Sequence, residues 1–219
     1  MPAISIKNDV ATAIALYFST PENQSEIINI LLASVEVLKK QSGFISFSIH
    51  KSQDGLRVAT YEQWQNQADY EAFLNSIAGK ELTAKLSTFP VESHLFEVVA
   101  SQSISGSPVP PQIITGGFLT HFAEFRTTPE KQPRLVELEK EYIVKAFENN
   151  TGLVSANFHR SLDGLMTINY GHWSSQEAFK AILQAPGFES TGSGYWVGLA
   201  ENEFHLYDVV FTEPSEENN

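Results

Sequence analysis

Apolar and polar positions along this chain fall into a short alternating cycle that runs twice. The apolar segment Ala13–Ser19 is short enough for a strand and stops at Thr20-Pro21-Glu22. Such a tripeptide predicts a helix start: the hydroxyl caps free N–H groups, Pro fits the first turn and Glu meets the positive helix end. Ile27, Leu31, Val35 and Leu38 follow at helical spacing, and Gly43 then supplies the positive φ common after a helix. Two strands are predicted over 44–52 and 55–64, joined at Asp54-Gly55, the strongest short hairpin signal. A second helix is expected from about Asn66, with Tyr70, Phe73, Leu74 and Ile77 on its apolar face, and a last strand over 93–100.

The cycle then repeats. Phe118–Phe125 leads into Thr128-Pro129-Glu130, and Leu135, Leu138, Tyr142 and Ala146 mark the first helix. Gly152, the Asp163-Gly164 hairpin, a second helix opening at Ser174 or Ser175 and a strand over 203–211 complete it. Ser174 with Glu177 would form a capping box, and Phe179, Ile182 and Leu183 the apolar face. Residues 43–73 align without gaps to 152–182 with 11 of 31 positions identical, where chance would give about two. The shared positions include His50/His159, Ser52/Ser161, Tyr61/Tyr170 and Trp64/Trp173. This is a duplication.

Each unit reads βαββαβ, so the fold class is α+β: two ferredoxin-like domains, each a four-stranded antiparallel sheet with both helices on one face. One such sheet leaves its second face bare. The two repeats are expected to bring those faces together as an intrachain dimeric α/β barrel, which turns dimerisation into an intramolecular event. The stretch 101–117 is rich in Ser, Pro and Gly, so repeat 1 is placed at 1–104, the linker at 105–115 and repeat 2 at 116–214. The acidic tail beyond should fray.

Composition narrows the function. A net charge of -12 argues against nucleic-acid and anionic-membrane partners. Cysteine is absent, which excludes disulfides, thiolate metal sites and cysteine catalysis. The start lacks the layout of a signal peptide and no apolar run could span a bilayer, so a soluble cytoplasmic protein is expected. No metal-ligand spacing, phosphate loop or nucleophile elbow occurs.

The run H-x-S-x-D-G-x5-Y-x-x-W, at His50–Trp64 and again at His159–Trp173, resembles antibiotic biosynthesis monooxygenase domains. That resemblance implies a dimeric α/β barrel and, for some members, oxidation of phenolic polyketides without metal, flavin or haem. It implies a pocket lined by an Asn four residues before the Trp and a Tyr six after it, often with a His fourteen before it. Repeat 1 then offers His50, Trp64 and Tyr70, with Thr60 at the Asn position. Repeat 2 offers His159, Asn169 and Trp173, with Phe179 at the Tyr position. The haem-degrading branch matches less well: neither first strand carries an Asn, and the stretch after Trp64 has no His.

The expected function is a monooxygenase acting on a phenol- or anthrone-like small molecule with no cofactor, repeat 2 being the favoured site. A non-catalytic binding or interaction module and a haem-binding protein are the alternatives. Triplet oxygen reacts only if the substrate itself donates an electron, so the pocket must hold a phenolate or carbanion among apolar walls. His50 or His159 would move a proton, and Trp173, Trp64, Asn169 and Tyr70 would orient oxygen atoms. Tyr61, Tyr170, Tyr195 and Trp196 are candidate substrate contacts, the last two on a Gly-rich lid over 186–200. Strand alternation sets one limit. With a two-residue Asp54-Gly55 loop, His50 faces Ala59 and Tyr61 faces Ser48, which puts Trp64 on the opposite sheet face.

Overall fold

The computed structural model describes residues 2–148, 152–184 and 194–214. Repeat 1 comprises β1 (Ala11–Phe18), α1 (Gln24–Leu38), β2 (Phe44–Ser52), β3 (Arg57–Trp64), α2 (Gln67–Asn75), α3 (Ile77–Leu86) and β4 (Val91–Ser103). Repeat 2 comprises β5 (Leu119–Arg126), α4 (Gln132–Glu148), β6 (Leu153–Ser161), β7 (Met166–Trp173), α5 (Gln176–Leu183) and β8 (Glu201–Pro214).

Local departures from expectation have local causes. The Thr-Pro-Glu tripeptides form a turn before each first helix, which starts at Gln24 or Gln132. Those glutamines are buried and lock the neighbouring hairpin: Gln24 Nε2 donates to the carbonyls of Ser52 and Arg57 at 2.9 and 3.0 Å. Gln132 repeats the pattern on Ser161 and Met166, both at 3.0 Å. The second helix of repeat 1 breaks at Ser76, whose hydroxyl caps α3 by accepting from Gly79 N–H. Ile77 therefore stands exposed instead of joining an apolar face with Phe73. In repeat 2 the capping residue is Ser175, which accepts from Ala178 N–H at 3.1 Å, and not Ser174.

Both hairpins form at the predicted Asp-Gly steps. Gly55 and Gly164 have φ of 81° and 82°, open to glycine at no steric cost. A Cβ on Gly55 would also come within 2.8 Å of Pro21. Each Asp reaches across the molecule as well: Asp54 Oδ2 lies 2.6 Å from His205 Nδ1, and Asp163 Oδ2 lies 2.6 Å from His94 Nδ1. The tip of each hairpin is thus clasped by the last strand of the other repeat.

Within each repeat the strands order as β4-β1-β3-β2 and β8-β5-β7-β6. The bare faces meet as expected, and the edges meet too. β2 pairs with β8 and β4 with β6, all antiparallel, closing one eight-stranded barrel. Closure removes every sheet edge. Register follows strand alternation, with His50 opposite Ala59 and Ser48 opposite Tyr61. Tyr61, Tyr170, Phe122, Ile14 and Tyr207 point into the barrel, while Phe47, Ile49 and Trp64 point out beneath the helices. Residues around the inter-repeat segment join the interior: Ile4 N–H donates to the Pro111 carbonyl at 2.8 Å, and Ile4 and Ile113 are fully buried. Among the described residues no helix is long and apolar enough to cross a membrane.

The outer layers differ at one telling pair. Leu31 on α1 and Val58 on β3 are buried apolar neighbours of one cluster. The matching positions in repeat 2 hold Glu139 and Thr167, both fully buried, and the Thr167 hydroxyl donates to Glu139. Burial pushes the Glu139 carboxyl up to about 8, and its second oxygen has no partner among the described residues.

A pH dependence follows. Between about 4.5 and 8 the folded chain keeps a proton on Glu139 that the unfolded chain loses, so this residue's contribution to stability falls as pH rises. Four buried histidines oppose it only below 6.5: His50 and His121 are lowered to about 3, His159 and His172 to about 4. Glu62 and Glu124, pushed up to about 7, act in the same direction and still hold about half of their protons at pH 7. From pH 7 to 8, urea-unfolding stability should therefore decline, by at most about 1.4 kcal/mol per pH unit for one proton. The double variant Glu139→Leu/Thr167→Val, which restores the repeat 1 pair, should decline less over that range, the remainder belonging to Glu62 and Glu124.

Candidate active site

β7 sends Asn169, Gly171 and Trp173 to the outer face of the barrel, under α4 and α5. β5 runs beside it with His121 directly opposite Gly171. Between this face and the helices lies a cavity of about 320 Å³, the size of small-molecule sites. Its walls are mainly apolar and include Phe125, Phe158, Phe179 and Ile182. Tyr195 and Trp196 close one side, with the Tyr195 ring 4.7 Å from Tyr142 and the Trp196 ring 5.5 Å from Phe125.

Few polar groups reach this space. Trp173 Nε1 donates to His121 Nδ1 at 2.8 Å, which leaves the imidazole proton on Nε2. The approach depends on Gly171, because a Cβ there would lie 2.0 Å from the His121 ring. Burial lowers His121 to about 3, so it stays neutral. Asn169 lines the cavity and its Oδ1 is buried with no partner among the described residues. Glu203 stands at the wall. Burial works against its charge, but Arg57 and Arg126, with nitrogens 2.9 and 2.6 Å away, hold it below the usual carboxylate range. Arg57 comes from repeat 1, so the pocket is finished by the other half.

Four of the sequence candidates therefore share one pocket: Asn169, Trp173, Tyr195 and Trp196. The lid expected over 186–200 lies outside the described residues as far as residue 193. His50, His159, Tyr61 and Tyr170 do not join the pocket. They meet inside the barrel in two matched cross-repeat pairs, His50 Nε2 with the Tyr170 hydroxyl at 3.0 Å and His159 Nε2 with the Tyr61 hydroxyl at 3.1 Å. His159 Nδ1 faces the Asn157 carbonyl, so its Nε2 accepts from Tyr61. All four side chains are fully buried. A strand sends alternate residues to opposite faces, and this separates the motif His from its Trp.

Trp64 and Tyr70 belong to the corresponding region of repeat 1. Trp64 is fully buried and stacked on Phe73 at 5.2 Å. Its indole N–H donates to Glu62 at 3.3 Å. Tyr70 lines a separate, larger cavity. The positions matching His121 and Gly171 are Ala13 and Glu62, paired across β1 and β3. The indole partner has thus moved from one strand to its neighbour. His121 and Glu203 are pocket residues that sequence reading missed. The signals for His121 were a polar residue in the apolar first strand and, opposite it, a Gly inside a strand, which marks close approach; Glu203 gave none.

Among the described residues no group of three or more His, Asp or Glu is placed to hold a metal ion. The profile of the family described as antibiotic biosynthesis monooxygenase matches residues 11–84 and 118–191, one match per repeat. Tetracenomycin-F1 monooxygenase of Streptomyces glaucescens is 34% identical over 73 residues, 33% of this chain and 65% of that protein. The match therefore spans slightly less than two thirds of the relative's length. A crystal structure of an anthrone oxidase-like protein has a TM-score of 0.81 at 21% identity, covering 100% of this chain and 98% of that one. Likeness at that identity speaks for the fold, which is shared from end to end. With each repeat matched and more than half of its length covered, this chain belongs to the antibiotic biosynthesis monooxygenase family as a tandem duplication.

Proposed function

We propose that this protein is a cofactor-independent monooxygenase that oxidises a phenol- or anthrone-like small molecule in the repeat 2 cavity. The observation that carries the reading is the unpartnered Oδ1 of Asn169 beside Trp173 in an apolar pocket of about 320 Å³. A buried acceptor without a partner costs free energy, which a substrate hydroxyl would recover. The names of the two relatives, a tetracenomycin-F1 monooxygenase and an anthrone oxidase-like protein, support the substrate class.

In this reading the flat walls, Phe158 and Phe179 among them, hold the ring system and exclude water. Asn169 accepts from a substrate hydroxyl and so sets its orientation. The substrate reacts as its enolate or phenolate, its proton having passed to water, and Glu203, held charged by Arg57 and Arg126, fixes the polar edge of the pocket. The carbanion gives one electron to oxygen, the two radicals combine as a peroxide, and loss of water leaves a new carbonyl. For an anthrone the sum is substrate plus O2 giving the quinone plus water. His121 acts as a positioning residue: it fixes the Trp173 indole and, neutral with Nδ1 occupied, is not the base.

Oxygen uptake with a panel of anthrones and hydroquinones tests this. Wild-type uptake should exceed that of Trp173→Ala and Asn169→Ala by about 100-fold. Equal rates in all three would refute the assignment, and ring binding without uptake would leave a binding module. Gly171→Ala should displace the His121 ring, shift tryptophan emission and reduce uptake by about tenfold or more. Unchanged emission and rate would show that the indole–imidazole contact has no part in it.

A further inference from the structure

Repeat 1 carries a second cavity, about 710 Å³, with a different chemical lining. Its centre of interest is Glu62, at the position where repeat 2 has Gly171. The carboxylate accepts two long hydrogen bonds, from Trp64 Nε1 at 3.3 Å and from the Thr60 hydroxyl at 3.4 Å. Neither donor carries a charge. Among the described residues no lysine, arginine or histidine pairs with Glu62, and the cavity lining contains no lysine or arginine. Burial accordingly pushes this carboxyl up to about 7, with no cation to bring it back.

Four aromatic rings stand around the same space: Tyr17 from β1, Tyr70 and Phe73 from α2, and Phe89 from the segment before β4. The other titratable groups facing it are His94 on β4 and Asp163 from the repeat 2 hairpin, which engage each other at 2.6 Å. The cavity therefore presents an uncompensated carboxylate within aromatic walls. A phenolate would be repelled here. A cation would gain both the carboxylate and the electron-rich ring faces.

We propose that the repeat 1 cavity is a binding site for an organic cation, an ammonium group on an apolar or aromatic body, with Glu62 as its counter-ion. The two halves of the duplication then differ in ligand: repeat 2 offers an amide acceptor to a neutral or acidic ring compound, and repeat 1 offers a carboxylate to an amine. One pair of exchanges produces the difference. Ala13 and Glu62 in repeat 1 stand where His121 and Gly171 stand in repeat 2, so the first cavity gains an anion and the second a neutral ring. The site is independent of whether repeat 2 catalyses oxygenation.

Isothermal titration of the full chain with 2-phenylethylammonium, and with 2-phenylethanol as the neutral analogue of similar shape, provides the test. The ammonium should bind at least about tenfold more tightly than the alcohol at pH 8. At pH 6, below the titration of Glu62, binding should release close to one proton, read from its heat in buffers of different ionisation enthalpy; at pH 8.5 it should release almost none. Glu62→Gln, which keeps an acceptor for Trp64, should remove the preference for the ammonium and the proton release. Thr83→Trp, at an exposed position lining the cavity, should block the ammonium without touching the core. Equal affinity for the two probes, an unchanged ammonium affinity in Glu62→Gln, or no ammonium binding at millimolar concentration would each overturn the proposal.

Discussion

Two unsatisfied sheet edges in each repeat govern this molecule. A βαββαβ unit alone leaves β2 and β4, or β6 and β8, with a row of unpaired N–H and C=O groups, and leaves one sheet face uncovered. Pairing β2 with β8 and β4 with β6 satisfies both needs in one closure. The cross-repeat contacts gather around it. His50 meets Tyr170, Tyr61 meets His159, and each hairpin Asp meets a His on the far repeat's last strand. Because both partners lie on one polypeptide, the closure needs no second chain.

Closure also decides where cavities can form. Its inner wall is filled by rings and hydrogen-bonded His–Tyr pairs. The cavities described lie instead between the outer wall and the helices, where each sheet packs against its own repeat's helices. Each cavity still borrows from the other half, Arg57 steadying Glu203 in one and Asp163 lining the other. A covalent link frees the two outer layers to diverge, since identical chains would have to change both at once. The exchanges Leu31 to Glu139, Val58 to Thr167, Ala13 to His121 and Glu62 to Gly171 show that divergence on a preserved frame.

Much of this frame was legible in the chain. Hairpins at Asp54-Gly55 and Asp163-Gly164 follow from backbone chemistry, and the repeat established that the topology occurs twice. Alternation from those turns correctly assigned Trp64 and His50 to opposite faces. Helix boundaries were less legible. The buried glutamines after Thr-Pro-Glu shift the starts to Gln24 and Gln132, and the Ser76 cap splits one helix; both depend on partners distant in sequence.

The chain alone specifies the twofold βαββαβ order and its register at the hairpins. Both rest on local backbone preferences and on a period-2 pattern. Strand pairing and barrel closure settle which side chains meet. Asn169, Trp173 and His121 converge because antiparallel pairing of β5 with β7 brings position 121 opposite position 171, while His159 turns inward to Tyr61 across the barrel. Contacts between residues tens of positions apart depend on how sheets close, and a linear pattern of side chains does not carry that information.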